Sequence, residues 1–294
     1  MAKISVIIPA SNEIYLQRTI NELLNKAGGD IEVIAVLDGY WPSPVLESNK
    51  RLIVVHIPKG GMRAAINAGI AASTGKYIMK IDAHCNIAPN YDKSLQADKD
   101  MNDNWLVIPR RYGLTMDTWE IRRDKAIVDY EYLSDPNSKR QMSKKPQLRA
   151  WKWQQRCDDR AHKMIDETMT FQGSCWFAEK AFFLKQVGYL DHESYGPFSC
   201  EAQEIGLKYW LGKCGGRIMV NKKTWYAHLF KGEPYRAKYL ELYGRSYART
   251  SPTQLKNSIA FSNDFWMNNR WEDRKYDLEW LIDRFKPVPT WEKK

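Results

Sequence analysis

The sequence predicts an α/β protein built on an open, mostly parallel β-sheet flanked by helices, with a helical, aromatic-rich C-terminal extension. Three observations carry that prediction. Short β-branched runs alternate with segments of helical period through the first 90 residues, the pattern of parallel strands joined by crossover helices. The runs end in polar or acidic residues at Pro9–Glu13, Asp38–Tyr40 and Asp82–His84, which suits strand ends that open on a ligand crevice. Residues 231–294 are rich in Tyr, Trp, Asn and charge, and the reading for them is helices packed on the main body. We therefore divide the chain into a main domain, 1–230, itself in halves 1–90 and 91–230, and an extension, 231–294.

Taken in order, Ile4 to Ile8 is a buried parallel strand ended by Pro9. Leu16, Ile20, Leu23 and Leu24 recur at helical spacing, and Gly28-Gly29 stop that helix. Ile31 to Leu37 and Leu52 to Ile57 are the next two strands. Ala64 to Ala72 is an alanine-rich helix, small-faced enough to lie close on a sheet. Tyr77 to Ile81 is a fourth strand running into Asp82. Beyond residue 90 the expected strands are Trp105 to Pro109, Thr168 to Phe177 with Gly173 inside it, and Arg217 to Val220. The expected helices there are Glu179 to Val187 and Glu201 to Leu211, and Asp135 to Pro146 reads as a polar loop.

At 294 residues and 44% hydrophobic content the chain can bury a full core. No stretch approaches the roughly 18 to 20 apolar residues of a membrane span. The N-terminus enters a strand at once and lacks a signal-peptide layout, so the expected location is cytoplasmic. Five cysteines without CxxC spacing read as reduced thiols rather than a disulfide framework or structural zinc site. The net charge is +10, and its excess concentrates in 136–164, where nine Lys and Arg face only Asp158 and Asp159. Trp151 and Trp153 lie inside that segment. It reads either as a phosphate-backbone footprint with a stacking aromatic or as a solvated basic loop.

The strongest local signal is Asp82-Ala83-His84 at the end of an apolar strand. A carboxylate and an imidazole two residues apart, beyond a strand end, can both point into the crevice and bind one divalent cation. With substrate phosphate oxygens they suit Mn²⁺, or Mg²⁺, which would bridge the diphosphate of a nucleotide sugar and neutralise charge on the leaving group. Alone, the triplet also fits a strand-end turn with a hydrogen-bonded histidine.

The surroundings add a resemblance. Val6-Ile7-Ile8-Pro9-Ala10-Ser11-Asn12-Glu13 resembles the opening strand and nucleotide-binding turn of family 2 glycosyltransferases of the GT-A (nucleotide-diphospho-sugar transferase) fold. Lys59 to Gly69, Thr74 to Tyr77 and Asp82-Ala83-His84-Cys85 resemble polypeptide N-acetylgalactosaminyltransferases more closely. The likeness resumes at Thr168 to Gly173, the Phe183 to Asp191 segment and Glu201 to Glu204, and runs through Trp210 and Cys214-Gly215-Gly216 to Ala227-His228.

The resemblance implies a UDP-sugar donor, with the nucleotide in the half 1–90 and the sugar and acceptor in the half 91–230. Pro9, Ala10, Asn12, Glu13 and Asp38 would hold the uridine, with Gly61 and Arg63 on the ribose or diphosphate side. Asp82 and His84 would bind the metal, Asp82 thereby belonging to the nucleotide site as well, and His228 would be the third ligand. Glu201 and Glu204, three apart on one helical face, would meet sugar and acceptor as the catalytic pair; surface charges favoured by a helix N-terminus are the other reading. This chain has Glu201-Ala202 where inverting family 2 enzymes carry Glu-Asp. Glu201 is then the base if the reaction inverts, and no such base is required if it retains.

The acceptor expected from the basic segment is a hydroxymethylated pyrimidine in DNA, of the kind phages make, which in a duplex requires base flipping. The same chemistry on a cell-envelope or capsule glycan, or on a protein Ser/Thr, is the alternative. A non-catalytic nucleic-acid-binding protein on this scaffold is the third reading.

Overall fold

The computed structural model describes residues 2–99, 102–140, 146–247 and 250–291. Strand β1 (Ile4–Ala10) leads into helix α1 (Leu16–Lys26), then β2 (Ile31–Asp38) and β3 (Leu52–Ile57). Next come α2 (Met62–Ala72), β4 (Tyr77–Ile81), β5 (Cys85–Ile87) and α3 (Tyr91–Lys99). The second half holds β6 (Trp105–Gly113), β7 (Glu131–Leu133), β8 (Ala150–Lys152), α4 (Gln154–Asp159), β9 (Ile165–Glu167) and β10 (Cys175–Glu179). It continues through α5 (Lys180–Gln186), α6 (Glu201–Leu211) and β11 (Arg217–His228). The extension adds α7 (Glu233–Tyr243), α8 (Pro252–Met267) and α9 (Leu278–Phe285).

The main sheet has the order β3-β2-β1-β4-β10-β6-β11-β5, with β9 also paired to β11. Strands β3, β2, β1 and β4 are parallel. β10 runs antiparallel between β4 and β6, and β11 is parallel to β6. The carboxyl ends of β1, β2, β4, β6 and β11 therefore share one edge. Chain order reverses about β1, and sheets of this kind take their ligands beyond that edge.

Parallel strands covered on both faces read as continuous apolar runs, and β2 and β4 are buried along their whole length. Helices α1 and α3 cover one face, where Leu16, Ile20, Leu23, Tyr91 and Leu95 pack on Val6, Ile8 and Val33. Helices α2, α5 and α6 cover the other. Leu278, Leu281, Ile282 and Phe285 of α9 and Trp266 of α8 belong to this same core, so the extension completes the main domain rather than standing apart. All five cysteines are free thiols, and Cys85, Cys175 and Cys200 are buried.

Three expected boundaries move, each for a local reason. Pro9 lies inside β1, because β4 pairs only as far as Ile7 and the missing amide is tolerated where the strand has one neighbour. β6 and β11 run past Pro109 and Val220, because a bulge between Asn221 and Trp225 sits opposite Pro109–Arg110 and absorbs the lost donor. Of the strand expected over Thr168–Phe177, only Cys175–Phe177 forms, as the start of β10. The amides before it are taken elsewhere, Thr168 N donating to Ile218 O at 3.0 Å and Gln172 N to Glu131 Oε2 at 2.8 Å.

Gly61 precedes α2 at φ 88°, and a Cβ there would lie 2.2 Å from the carbonyl oxygen of Pro197. Gly61→Ala is expected to destabilise the protein by about 1–3 kcal/mol through left-handed strain and this backbone clash; a thermal melt checks it.

Candidate active site

β4 carries Asp82 to the sheet edge, where its amide donates to Ser174 O at 2.9 Å. β5 then turns back antiparallel to the end of β11, pairing Cys85 with His228. That register brings three donor atoms together. His84 Nε2 lies 3.1 Å from His228 Nε2, His228 Nε2 lies 3.2 Å from Asp82 Oδ2, and His84 Nε2 lies 3.9 Å from the same oxygen. Among the described residues, these three form the His/Cys/Asp/Glu group whose ligand atoms converge as a metal site requires.

The donor set fits a divalent cation. His228 Nε2 cannot both donate to Asp82 and accept from His84, so no hydrogen-bond scheme satisfies all three atoms. One divalent cation held between them would satisfy all three together. Burial, opposed by the hydrogen bond to Asp82, lowers the His228 pKa to about 4, which leaves its lone pair available at neutral pH. For Asp82 burial works towards the protonated form, but Lys80, the hydrogen bond to His228 and both imidazoles hold it far below the usual carboxylate range.

Glu13 stands behind His84, its Oε2 3.2 Å from Nδ1. A carboxylate on the far nitrogen of a ligating histidine fixes the tautomer that presents Nε2 to a metal. Glu13 is also ion-paired with Lys231 and accepts from Tyr235 Oη at 3.1 Å. It is thus turned to the histidine and the extension rather than outward to a nucleotide. Burial opposes its ionisation, yet Lys231 and His84 bring its pKa down from 4.5 to about 2. A folded pKa below the unfolded one means stability that is present above about pH 4.5 and lost as the pH falls from there towards 2. Glu13→Gln is expected to remove that part of the acid limb, about 3 kcal/mol, in melting curves taken across the same range.

On the face opposite α1, Lys80 is fully buried, paired with Asp82 and donating to Gly173 O at 2.6 Å. Gly173 also allows a close approach, because a Cβ there would lie 2.3 Å from Glu201 Oε1. Glu201 therefore rests against the 172–174 turn beside Lys80 and Asp82, and has no hydrogen-bond partner among the described residues. Gly173→Ala is expected to displace this carboxylate at little cost to the fold, because the atom that must move is the end of a side chain. Turnover should fall on the order of tenfold while the melting temperature changes little.

The remaining sequence-predicted residues divide. Pro9 and Ala10 end β1, and Asn12 follows at φ 52°. The Asp38 carboxylate is occupied by its own loop, accepting from Gly60 N at 2.7 Å, Gly61 N at 3.1 Å and Lys59 Nζ at 2.7 Å. Arg63 and Glu204 do not reach the crevice. They are 0% and 1% exposed and pair with each other, Arg63 also donating to Ser199 O and Glu204 accepting from Lys208 at 2.7 Å. The shared first turn of α6 is thus divided, Glu201 staying partly exposed beside Gly173 while Glu204 is drawn inward by Arg63 of α2.

Trp153 is likewise a core residue, 6% exposed and edge-on to Tyr132, so it cannot stack on a ligand. The Trp151 ring is half-buried under Arg149. Arg156 donates to Glu167 O and Arg160 pairs with Asp166, while Lys139, Arg140, Arg149 and Lys163 are exposed. Lys144 and Lys145 lie outside the described residues.

Sequence reasoning missed Lys80, Lys231 and Tyr235. A lysine inside the otherwise apolar run Tyr77–Ile81 was a readable signal for the first. Nothing local marks the other two, whose contacts with Glu13 span more than 200 residues of chain.

Comparisons with known proteins bear on the family and the fold. The chain matches the family described as Glycosyl transferase family 2 over residues 5–179. It is 25% identical to a Drosophila melanogaster protein described as polypeptide N-acetylgalactosaminyltransferase 13, over 97% of this chain and 49% of that one. The fold is similar to a crystal structure of GalNAc-T7 with UDP, GalNAc and Mn²⁺, with TM-score 0.67 and 19% identity over 92% of this chain and 50% of the other. It is also similar to residues 1–349 of S. aureus TarS in complex with UDP-GlcNAc, with TM-score 0.54 and 18% identity over 92% of this chain and 68% of the other. The chain spans about half the length of the curated relatives it matches. With a parallel sheet opening at the ends of β1 and β4 and a family match across more than half its residues, this chain is a member of glycosyl transferase family 2, on a GT-A fold.

Proposed function

We propose that the protein is a metal-dependent glycosyltransferase that moves a sugar from a UDP-sugar to an acceptor hydroxyl. The observation that carries this reading is the convergence of Asp82 Oδ2, His84 Nε2 and His228 Nε2 at the sheet edge. A divalent cation held there supplies charge neutralisation for a diphosphate leaving group. The protein's own residues do the rest. Glu13 fixes the His84 tautomer, Lys80 holds Asp82, and the strand ends at Pro9–Asn12 and Asp38 frame the nucleotide. Glu201, on the crevice side of α6, faces the sugar and the incoming hydroxyl. The ligands bound in the GalNAc-T7 and TarS structures support a UDP-sugar donor and, for the former, Mn²⁺.

A cavity of about 690 Å³ borders this centre, lined by Arg111, Met116, Arg122, Lys125, Phe230 and Tyr235 among others, and suits an acceptor. The 146–148 segment that leads to Arg149 is bonded to Asn263 of α8, and α8 packs Ile259 on Tyr195 and Cys200 beside Glu201. Arg149 is thereby linked through α8 to the neighbourhood of Glu201. The exposed cations Lys139, Arg140, Arg149 and Lys163 favour a phosphate-rich acceptor held by charge, and the one we put first is a hydroxymethylated pyrimidine in DNA, without a stacking role for Trp153.

The test is UDP release from a panel of UDP-sugars with Mn²⁺ or Mg²⁺, with and without hydroxymethylated DNA, at two salt concentrations. Release that rises with that DNA and weakens steeply with salt is the expected result. Release stimulated by saccharides or peptides and indifferent to DNA would move the acceptor to a glycan or a protein. No release from any donor with either metal would leave a non-catalytic binding protein.

A further inference from the structure

Both carboxylates that touch the histidines of the candidate metal centre are paired with a lysine before any cation arrives. The carboxylate ligand, Asp82, is paired with Lys80, and the supporting carboxylate, Glu13, is paired with Lys231. Of the two lysines, Lys80 stands nearer the ligands. Alternation along β4 puts residues 80 and 82 on one face, so Lys80 Nζ takes Asp82 Oδ1 and leaves Oδ2 to meet the two imidazoles.

This lysine is not what holds the strand. Its neighbours Ile78, Met79 and Ile81 are buried apolar residues, and it is itself 0% exposed. Losing Lys80 alone does not strand Asp82 in the core, because that side chain is 19% exposed and still meets His228 Nε2. The lysine's consequence falls instead on the charge a cation meets. One positive charge adjacent to the only carboxylate ligand opposes a second, divalent one.

We infer that Lys80 makes the site bind a divalent cation weakly by itself and firmly only together with an anionic diphosphate, so that metal and donor enter as one unit. This rests on the glycosyltransferase reading above. It assigns to a residue of this chain the order in which that reading's two ligands are retained.

The experiment is Mn²⁺ binding to the full chain, followed by electron paramagnetic resonance of free Mn²⁺, with and without UDP, in wild type, Lys80→Met and Lys80→Gln. Thermal melts without metal show whether each variant is folded. In the wild type UDP should raise Mn²⁺ affinity by about tenfold or more. In both variants Mn²⁺ alone should bind about tenfold or more tightly than in the wild type, and the UDP effect should shrink to about threefold or less, because the opposing charge is gone.

Mn²⁺ affinity that is unchanged or lower in folded variants would overturn the inference, since a residue that only orients Asp82 would lower it. Variants without a cooperative melt would make Lys80 a residue of the fold and overturn it equally. Wild type that binds no Mn²⁺ with or without UDP would instead remove the metal reading itself, and this inference with it.

Discussion

Asp82→Ala and His84→Ala should each lower metal-dependent turnover by roughly 10³-fold or more, since losing one of three ligands forfeits several kcal/mol of transition-state charge stabilisation. The two variants should differ in stability. His84 follows a strand end and contributes a ring to the edge of the core, so its loss is mainly functional. Removing the Asp82 carboxylate leaves Lys80 fully buried without its ion-pair partner, its remaining hydrogen bond going to the Gly173 carbonyl. An uncompensated buried charge costs about 3–5 kcal/mol, so Asp82→Ala should also melt on the order of 10 °C lower. The double variant Lys80→Met/Asp82→Ala should recover much of that stability and none of the turnover. UDP release with Mn²⁺, measured beside thermal melts of all three, checks the prediction. Activity retained by either single variant would sink the metal assignment.

The second large effect separates Glu201 from Glu204. Glu204→Ala strands Arg63, which is buried among Tyr195 and the carbonyls of Asp191 and Ser199. The expected cost is again about 3–5 kcal/mol, with a fall in melting temperature on the order of 10 °C. Glu201→Gln should melt within a few degrees of wild type, because its carboxylate holds no buried partner, and should lose about 10²-fold in turnover if it acts as a base. A Glu204 variant that melts like wild type but has lost activity would return that residue to the crevice and refute the geometry described above.

These two pairs show what kind of information the chain carries locally. Asp82 and His84 were legible because two residues fix their relative placement and the run before them is long enough to identify a strand end. The first four strands were legible for the same reason. A strand buried on both faces has to be apolar along its length, and Val6–Ile8, Ile31–Leu37 and Tyr77–Ile81 meet that requirement within a few residues. The strand expected over Thr168–Phe177, of which only Cys175–Phe177 forms, shares the cause in reverse. Those residues have β-prone side chains, but Glu131, from a distant hairpin, captures the amide of Gln172.

Glu201 and Glu204 show where local information ends. Helical spacing places them on one face, and only the tertiary placement of Arg63 decides that one of them meets it. Trp153 is the same case, an aromatic in a basic segment whose burial depends on Tyr132 and on α9 reaching back to the core.

The sequence by itself determined the parallel sheet, the crevice at its carboxyl edge and the carboxylate–imidazole pair at the end of β4, because each depends on neighbours a few residues apart. Only the tertiary structure decided that Glu13 backs His84, that Lys80 neutralises Asp82, and that one glutamate stays partly exposed beside Gly173 while the other is sealed inside. Those outcomes follow from contacts between segments tens to hundreds of residues apart, where the energy of burying a charge selects its partner and no local pattern records the choice.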